Sequence, residues 1–372
     1  MRICMVAFND LHFDYRIFRE ATSLHRAGHQ VTIIAAAFDS SPLEGWDDFE
    51  IQLIPIDRNR SLRRLYPDFW RRAFPLLLAA RPDAYHAHDL DVLWPAVRAA
   101  KRLDRPLVYD SHEFWIEQSS LVDRPLMRAL WSALERRLIG RVDRVITVSA
   151  SIAQDLEARY GLEDVLVLRN LPLFRERIDS DLIRQTLDLP ADRPIVLYQG
   201  GFLTDNGLSE QIEAAAAFEQ AALVLIGDGP NEAALREQVR AGGLEDRVYF
   251  IPRVPFHLLH NYTCSADVGL CLIKGSGKSF YYSLPNKLFE YMMAGLPVLA
   301  SNFPEMQRVV DETAAGATAD PADVDVIREQ ITALLEDPAR RAASRRAGLA
   351  AARRYNWERE ADHLTNLYAT LL

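Results

Sequence analysis

Cysteine is scarce in this 372-residue chain: Cys4, Cys264 and Cys271 are far apart and each sits in an apolar run. An odd number at such spacing excludes a disulfide framework or a cysteine-ligated zinc, so the three read as small buried hydrophobes in a reducing cytoplasm. A membrane span is missing too, since no apolar stretch approaches the ~20 residues one needs. Met1-Arg2 runs straight into the strand-like ICMVAF (3–8), so no secretory signal is expected. Positive charge is in short supply: the net charge of −9 argues against wholesale nucleic-acid binding. Internal repeats and low-complexity tracts are also absent. Asp89-Leu90-Asp91 is the one Asp-x-Asp pair near a strand end, and it reads as a helix cap. No metal and no cofactor are therefore expected.

What is present is alternation. Short apolar runs at 3–8, 31–37, 51–56, 84–88, 107–111 and 144–149 read as buried parallel strands, with amphipathic helices between them. The first helix, from Tyr15, ends at Gly28, where glycine takes the left-handed conformation at little steric cost. Residues 173–193 carry charge and Pro190 without a sustained strand and read as a linker. The alternation resumes at 194–200, 222–229, 247–252, 267–273 and 296–301, followed by helices at 322–336, 338–354 and 357–372. The expectation is α/β: two doubly wound, Rossmann-like domains (1–172 and 194–354) facing a deep cleft, with a final helix over 355–372.

Three segments carry chemistry. In YQGGFLTDNGL a strand ends at Gly200-Gly201 and a helix follows Asn206-Gly207. Glycine lets a bound group approach the backbone, and a helix N-terminus favours phosphate; a tight turn without ligand explains the same residues. Gly227-Asp228-Gly229-Pro230 likewise serves as a phosphate turn or as plain turn chemistry. The most specific is YYSLPNKLFEYMMAGLPVLAS, where Pro285 opens a helix carrying Asn286, Lys287 and Glu290 on its first turns. The helix dipole disfavours a lysine there unless a phosphate lies beside it, and Glu290 can accept from ribose hydroxyls.

These motifs, in this order with IGDGP and ADVGLCLI, resemble the retaining glycosyltransferases of family four, of GT-B fold. In the amino half, FDYRIFREATSLHRAGHQVTII, YHAHDLDVLWPA, LVYDSHEFW and VLRNLP are similar to that family's opening elements. The resemblance implies a sugar nucleotide, UDP- or GDP-linked, held by the carboxyl half, and a glycan or lipid-linked acceptor bound by the amino half. It implies that the final helix crosses back to the first domain. Glu290 matches the second glutamate of a Glu-x7-Glu motif and holds the ribose, His112 contacts the donor sugar, and Arg253-Val254 lie beside the base. Tyr282, Ser283, Leu284, Pro285 and Asn286 complete the donor side with Lys278; Asp10, Arg16, His88, Asp89 and Glu113 fall on the acceptor side. Retention, by assistance from the leaving diphosphate, follows from the same resemblance.

Three positions depart from the family. Tyr282 replaces the first glutamate, Asn206 stands where a lysine or arginine is usual, and Gly201 stands near the usual arginine. One unit charge ~4 Å from the diphosphate is worth about 4 kcal/mol, so other cations must serve: Lys287 first, helped by Lys278 or Lys274. The departures leave open a non-catalytic sugar-nucleotide-binding subunit or a nucleotide-sugar epimerase on the same fold. Arg58, Arg60, Arg63, Arg64, Arg71 and Arg72 interleave with Leu62, Leu65, Tyr66, Phe69, Trp70 and Phe74. That pattern fits peripheral contact with an anionic inner membrane surface through 58–74, or arginine stems lying over a hydrophobic face.

Overall fold

The computed structural model describes residues 1–38, 41–57, 59, 61–218, 220–275 and 277–371. The chain forms two compact units, Met1–Arg169 with Arg359–Leu372, and Asn170–Glu358.

The first unit is a seven-stranded parallel sheet. Its strands are β1 (Arg2–Ala7), β2 (Gln30–Ala37), β3 (Glu50–Pro55), β4 (Ala84–His88), β5 (Leu107–Ser111), β6 (Arg144–Thr147) and β7 (Leu166–Val167). They lie in the order β3-β2-β1-β4-β5-β6-β7, which reverses direction between β1 and β4. β4 and β5 are buried at every position, as a sheet covered on both faces requires. The helix Tyr15–Arg26 begins where the Asp14 carboxylate accepts the backbone N–H groups of Arg16 (3.1 Å) and Ile17 (3.0 Å).

The helix Leu62–Ala80 buries Leu65, Phe69, Ala73 and Leu77 at four-residue spacing. Its aromatics face protein: Tyr66 and Phe69 lie 5.0 and 5.1 Å from Phe8, and Trp70 donates Nε1–H to the Asp91 carbonyl at 2.5 Å. The arginine stems thus flank a core-facing helix, and no lipid-facing aromatic face forms in 61–74. Arg63, Arg64 and Arg71 stay exposed; Arg58 and Arg60 lie outside the described residues. The helix Trp357–Ala369 crosses back to this unit, burying Leu364 and Tyr368.

The second unit is a six-stranded parallel sheet, β8 (Ile195–Gln199), β9 (Ala222–Ile226), β10 (Val248–Ile251), β11 (Val268–Cys271), β12 (Val298–Ser301) and β13 (Gly316–Ala319). The order β10-β9-β8-β11-β12-β13 reverses between β8 and β11. Period-two alternation splits β8 between two cores: Ile195 and Leu197 join Leu288, Phe289 and Met292 on one face, Val196 and Tyr198 join Ile212 and Ile327 on the other. The stretch expected as a linker belongs to this unit. The helix Leu182–Leu187 buries Ile183, and Arg184 donates to the Arg193 carbonyl (2.8 Å) and to Asp267 (2.8 Å). A helix of six residues has too few apolar positions to register as periodicity.

Candidate active site

Where β1, β4 and β5 end, the first unit buries a dense set of charges. Register sets His88 of β4 beside Asp110 of β5, and both are fully buried. A buried carboxylate is costly unless paired. Arg16 pairs it bidentately, with Nε 3.1 Å from Oδ2 and Nη2 2.9 Å from Oδ1, and donates Nη1–H to the Leu168 carbonyl at 3.0 Å. Arg16 also stands 2.9 Å from Glu20 one turn along its helix.

His112 closes this network. Its Nε2 is 3.0 Å from Asp110 Oδ2 and 3.0 Å from His88 Nδ1. Burial alone disfavours an imidazolium, but Asp110 and Asp89 outweigh it and push His112 up to about 10. The same burial penalty on Asp110 is overcome by Arg16 and His112, which hold it well below the usual carboxylate range. Burial and the neighbouring His86 push His88 down to about 3, leaving it a neutral acceptor. His112 Nδ1 lies 3.7 Å from Asp89, beyond hydrogen-bond range.

Asp89 does not cap a helix: its carboxylate makes no capping bond and accepts the His112 backbone N–H at 2.9 Å instead. The residue adopts φ 69°, which turns the side chain back toward β5. Asp10 accepts from the His12 ring at 2.7 Å, outside the network, and Glu113 is exposed. Glu20, His86, His88 and Asp110 bring ligand-type atoms within 4.8 Å of one another. The Arg16 guanidinium already lies against both carboxylates, so a metal cation there would face a fixed positive charge; the set does not fit one.

In the second unit the strand ends of β8 and β9 interlock. A Cβ on Gly227 would lie 2.0 Å from the Gly200 carbonyl oxygen, and one on Gly229 would lie 2.7 Å from Phe202 backbone atoms. The glycines of IGDGP therefore admit the β8 loop. Gly227→Ala is expected to cost roughly 1–3 kcal/mol in urea unfolding; an unchanged midpoint would show that the loops can part freely. The Tyr198 hydroxyl and the Asn206 side-chain amide both donate to the Gly201 carbonyl, at 2.7 and 2.8 Å. Asn206 thus braces the loop and replaces no cation. Gly207 takes φ 58° and starts the helix Leu208–Ala215.

Beside this loop the helix Asn286–Met293 opens at Pro285. Lys287 lies half-buried with its ammonium 4.1 Å from the centre of the Tyr198 ring and against Gly200. Among the described residues it forms no ion pair or hydrogen bond, and burial holds it below the ordinary lysine value. Glu290, one turn on, accepts from Gln199 Nε2 at 2.5 Å, and Thr263 donates to Gln199 Oε1 at 2.7 Å. Lys274 is paired with Glu210 at 2.5 Å. Lys278 lies 5.7 Å from the Tyr282 ring. Ser283 closes a turn on the Phe280 carbonyl, and Leu284 is buried in the core. Asn286 keeps a buried side-chain oxygen without a partner among the described residues. Arg253 forms an exposed pair with Asp228 at 2.8 Å, with Val254 packed beside it against the core.

A half-buried ammonium and an amide-oriented carboxylate at the head of one helix suit a ligand bearing phosphate at one end and a diol at the other. Residues 15–170 match the family described as Glycosyltransferase Family 4, and residues 179–350 match Glycosyl transferases group 1. The chain belongs to the family-four glycosyltransferases. This glycosyltransferase is 28% identical over 303 residues to a glycogen synthase of Mycobacterium tuberculosis, covering 77% of this chain and 69% of the relative. It is 25% identical over 367 residues to a phosphatidyl-myo-inositol mannosyltransferase of Mycobacterium leprae, covering 95% and 92%. The fold matches the Anabaena protein Alr3699/HepE, solved in complex with UDP-glucose, at TM-score 0.78 with 18% identity and all of both chains covered.

Sequence reading missed the residues that orient the site. Gln199, Thr263 and Tyr291, whose hydroxyl accepts the Gln199 backbone N–H at 3.0 Å, read as strand and helix filler. Glu20, His86 and Asp110 passed as parts of a family pattern. The available signal was a polar residue at the carboxyl end of an apolar strand: Gln199 last in β8, Asp110 next to last in β5.

Proposed function

We propose that this glycosyltransferase moves a hexose from a UDP- or GDP-linked donor to a hydroxyl of a glycan or lipid-linked acceptor. Transfer proceeds with retention and without a metal, in cell-surface polysaccharide or glycoconjugate synthesis. Lys287 carries the reading: it is a half-buried ammonium without an ion-pair partner among the described residues, at the head of a helix and against a glycine backbone. As the glycosidic bond breaks, charge grows on the leaving diphosphate, and a fixed cation plus the helix dipole stabilise it. Glu290, aimed by Gln199, holds the ribose diol. His112 stays an imidazolium through the neutral range and offers Nδ1–H to a sugar hydroxyl, while the acceptor hydroxyl passes its proton to the departing phosphate oxygen. The Anabaena fold neighbour's UDP-glucose supports a nucleotide-sugar ligand for this architecture.

Thermal shift against UDP, GDP, ADP and their hexose conjugates, with and without EDTA, tests the proposal. A ligand that binds the native state raises its apparent stability. One nucleotide class should raise the midpoint, unaffected by EDTA, and the shift should vanish in Glu290→Ala. A shift that EDTA abolishes, or none at all, would overturn the metal-free donor site.

A further inference from the structure

We propose that the helix Pro125–Leu138 of the first unit is a docking surface for an anionic phospholipid bilayer. Leu126 and Leu130 are 81% and 64% exposed, and Val122 just before the helix is 43% exposed. Ala129 and Ala133 are exposed between and beyond the two leucines. At 100° per residue these four helical positions form one continuous stripe rather than scattered single hydrophobes. The opposite face is anchored: Trp131 meets Trp115 and Tyr66 at 5.5 and 5.2 Å, and buried Glu135 accepts from Tyr109 (3.2 Å) and Tyr160 (2.6 Å). The stripe is thus presented outward on a fixed element.

Charge selects the occupant. Arg124 precedes the stripe, Arg136 and Arg137 follow it, and all three are exposed, with Asp123 the one exposed acid between 122 and 137. An apolar stripe bounded by arginines inserts at the acyl boundary while the guanidiniums reach anionic headgroups. Arg63 and Arg64 lie within one turn of Tyr66, which contacts this helix, and add to the same field. The basic stretch prominent in the sequence therefore contributes charge, and the helix Pro125–Leu138 contributes the apolar contact. A second copy fits poorly. Stacking this helix on itself brings basic ends together in either direction, and two leucines with two alanines fall short of the ~800 Å² per partner that stable interfaces bury.

The experiment is flotation of the full chain with vesicles of phosphatidylcholine alone or mixed with phosphatidylglycerol. Wild type is compared with Leu126→Ser/Leu130→Ser and with Arg124→Ala/Arg136→Ala/Arg137→Ala; circular dichroism melts confirm folding, and nucleotide binding is read in parallel. Wild type should float with the anionic vesicles only and be released by salt. Each variant should lose about tenfold or more of its vesicle partition with unchanged melt and nucleotide binding. Wild type remaining behind with anionic vesicles overturns the proposal whatever the donor site does. So does flotation of the leucine variant at the wild-type level, or a wild-type dimer that this variant dissociates, which would give the face to a second copy.

Discussion

Lys287→Ala is expected to lower kcat by roughly three orders of magnitude, as loss of about 4 kcal/mol of charge stabilisation implies. The size follows from what surrounds the ammonium. Asn206 binds the Gly201 carbonyl and Lys274 is paired with Glu210. Lysine to arginine is not a conservative change here, because the ammonium fits between the Tyr198 ring and Gly200. The pH dependence has a definite sign. Burial lowers the Lys287 value, so in the free enzyme the cation is lost as pH rises, and lost earlier than for an ordinary lysine. The kcat/KM profile should fall on the alkaline side below the usual lysine range and lose that limb in Lys287→Ala. Wild-type turnover in the variant would assign the diphosphate elsewhere.

Asp110→Asn is expected to destabilise the protein by roughly 3–5 kcal/mol, because it strips the shared counter-charge from Arg16 and His112 inside a dry network. The pH dependence separates this loss from simple repacking. Asp110 titrates below its unfolded value of 3.8, so its contribution is present above that value and is lost as pH falls through the lowered one. His112 titrates above its unfolded value of 6.5, so its contribution is full below 6.5 and is lost as pH rises toward about 10. The pair therefore stabilises most between these unfolded values and fades through the alkaline window. Urea unfolding across that window should show wild-type stability declining and a much flatter trend in Asp110→Asn. Equal slopes would mean that Asp110 does not hold the His112 charge.

Both variants act on residues the sequence exposes unequally. Lys287 and Glu290 stood out in the sequence because a lysine at a helix N-terminus conflicts with the dipole, and the structure places both on one helix, Lys287 against Gly200 and Glu290 on Gln199. The sheets were legible because β9 is wholly apolar and β8 apolar up to Gln199, and both are buried at every position. β7 is two residues long and β13 reads Gly-Ala-Thr-Ala, so neither shows a strand's apolar density, and only pairing to β6 and β12 defines them. Asp110 drew no separate reading inside the strand expected over 107–111. Its meaning lies in Arg16, 94 residues away, and no local window links the two. Gln199 was hidden similarly, since its partners Thr263 and Glu290 come from other elements 64 and 91 residues off. Asp89 misled because Asp before a helix usually caps it, and here backbone geometry turns its carboxylate to His112 instead. The aromatic residues of 62–74 suggested lipid until packing against Phe8, Trp94 and Trp131 turned them inward.

The account's central claim is that Lys287 reads the diphosphate of the donor. Calorimetric titration of wild type and Lys287→Ala with UDP and GDP, each beside its nucleoside, tests it directly. Wild type should bind one nucleoside diphosphate far more tightly than the nucleoside, and Lys287→Ala should lose about a hundredfold or more of that preference while still binding the nucleoside. A variant that keeps the wild-type preference for the diphosphate would contradict the claim.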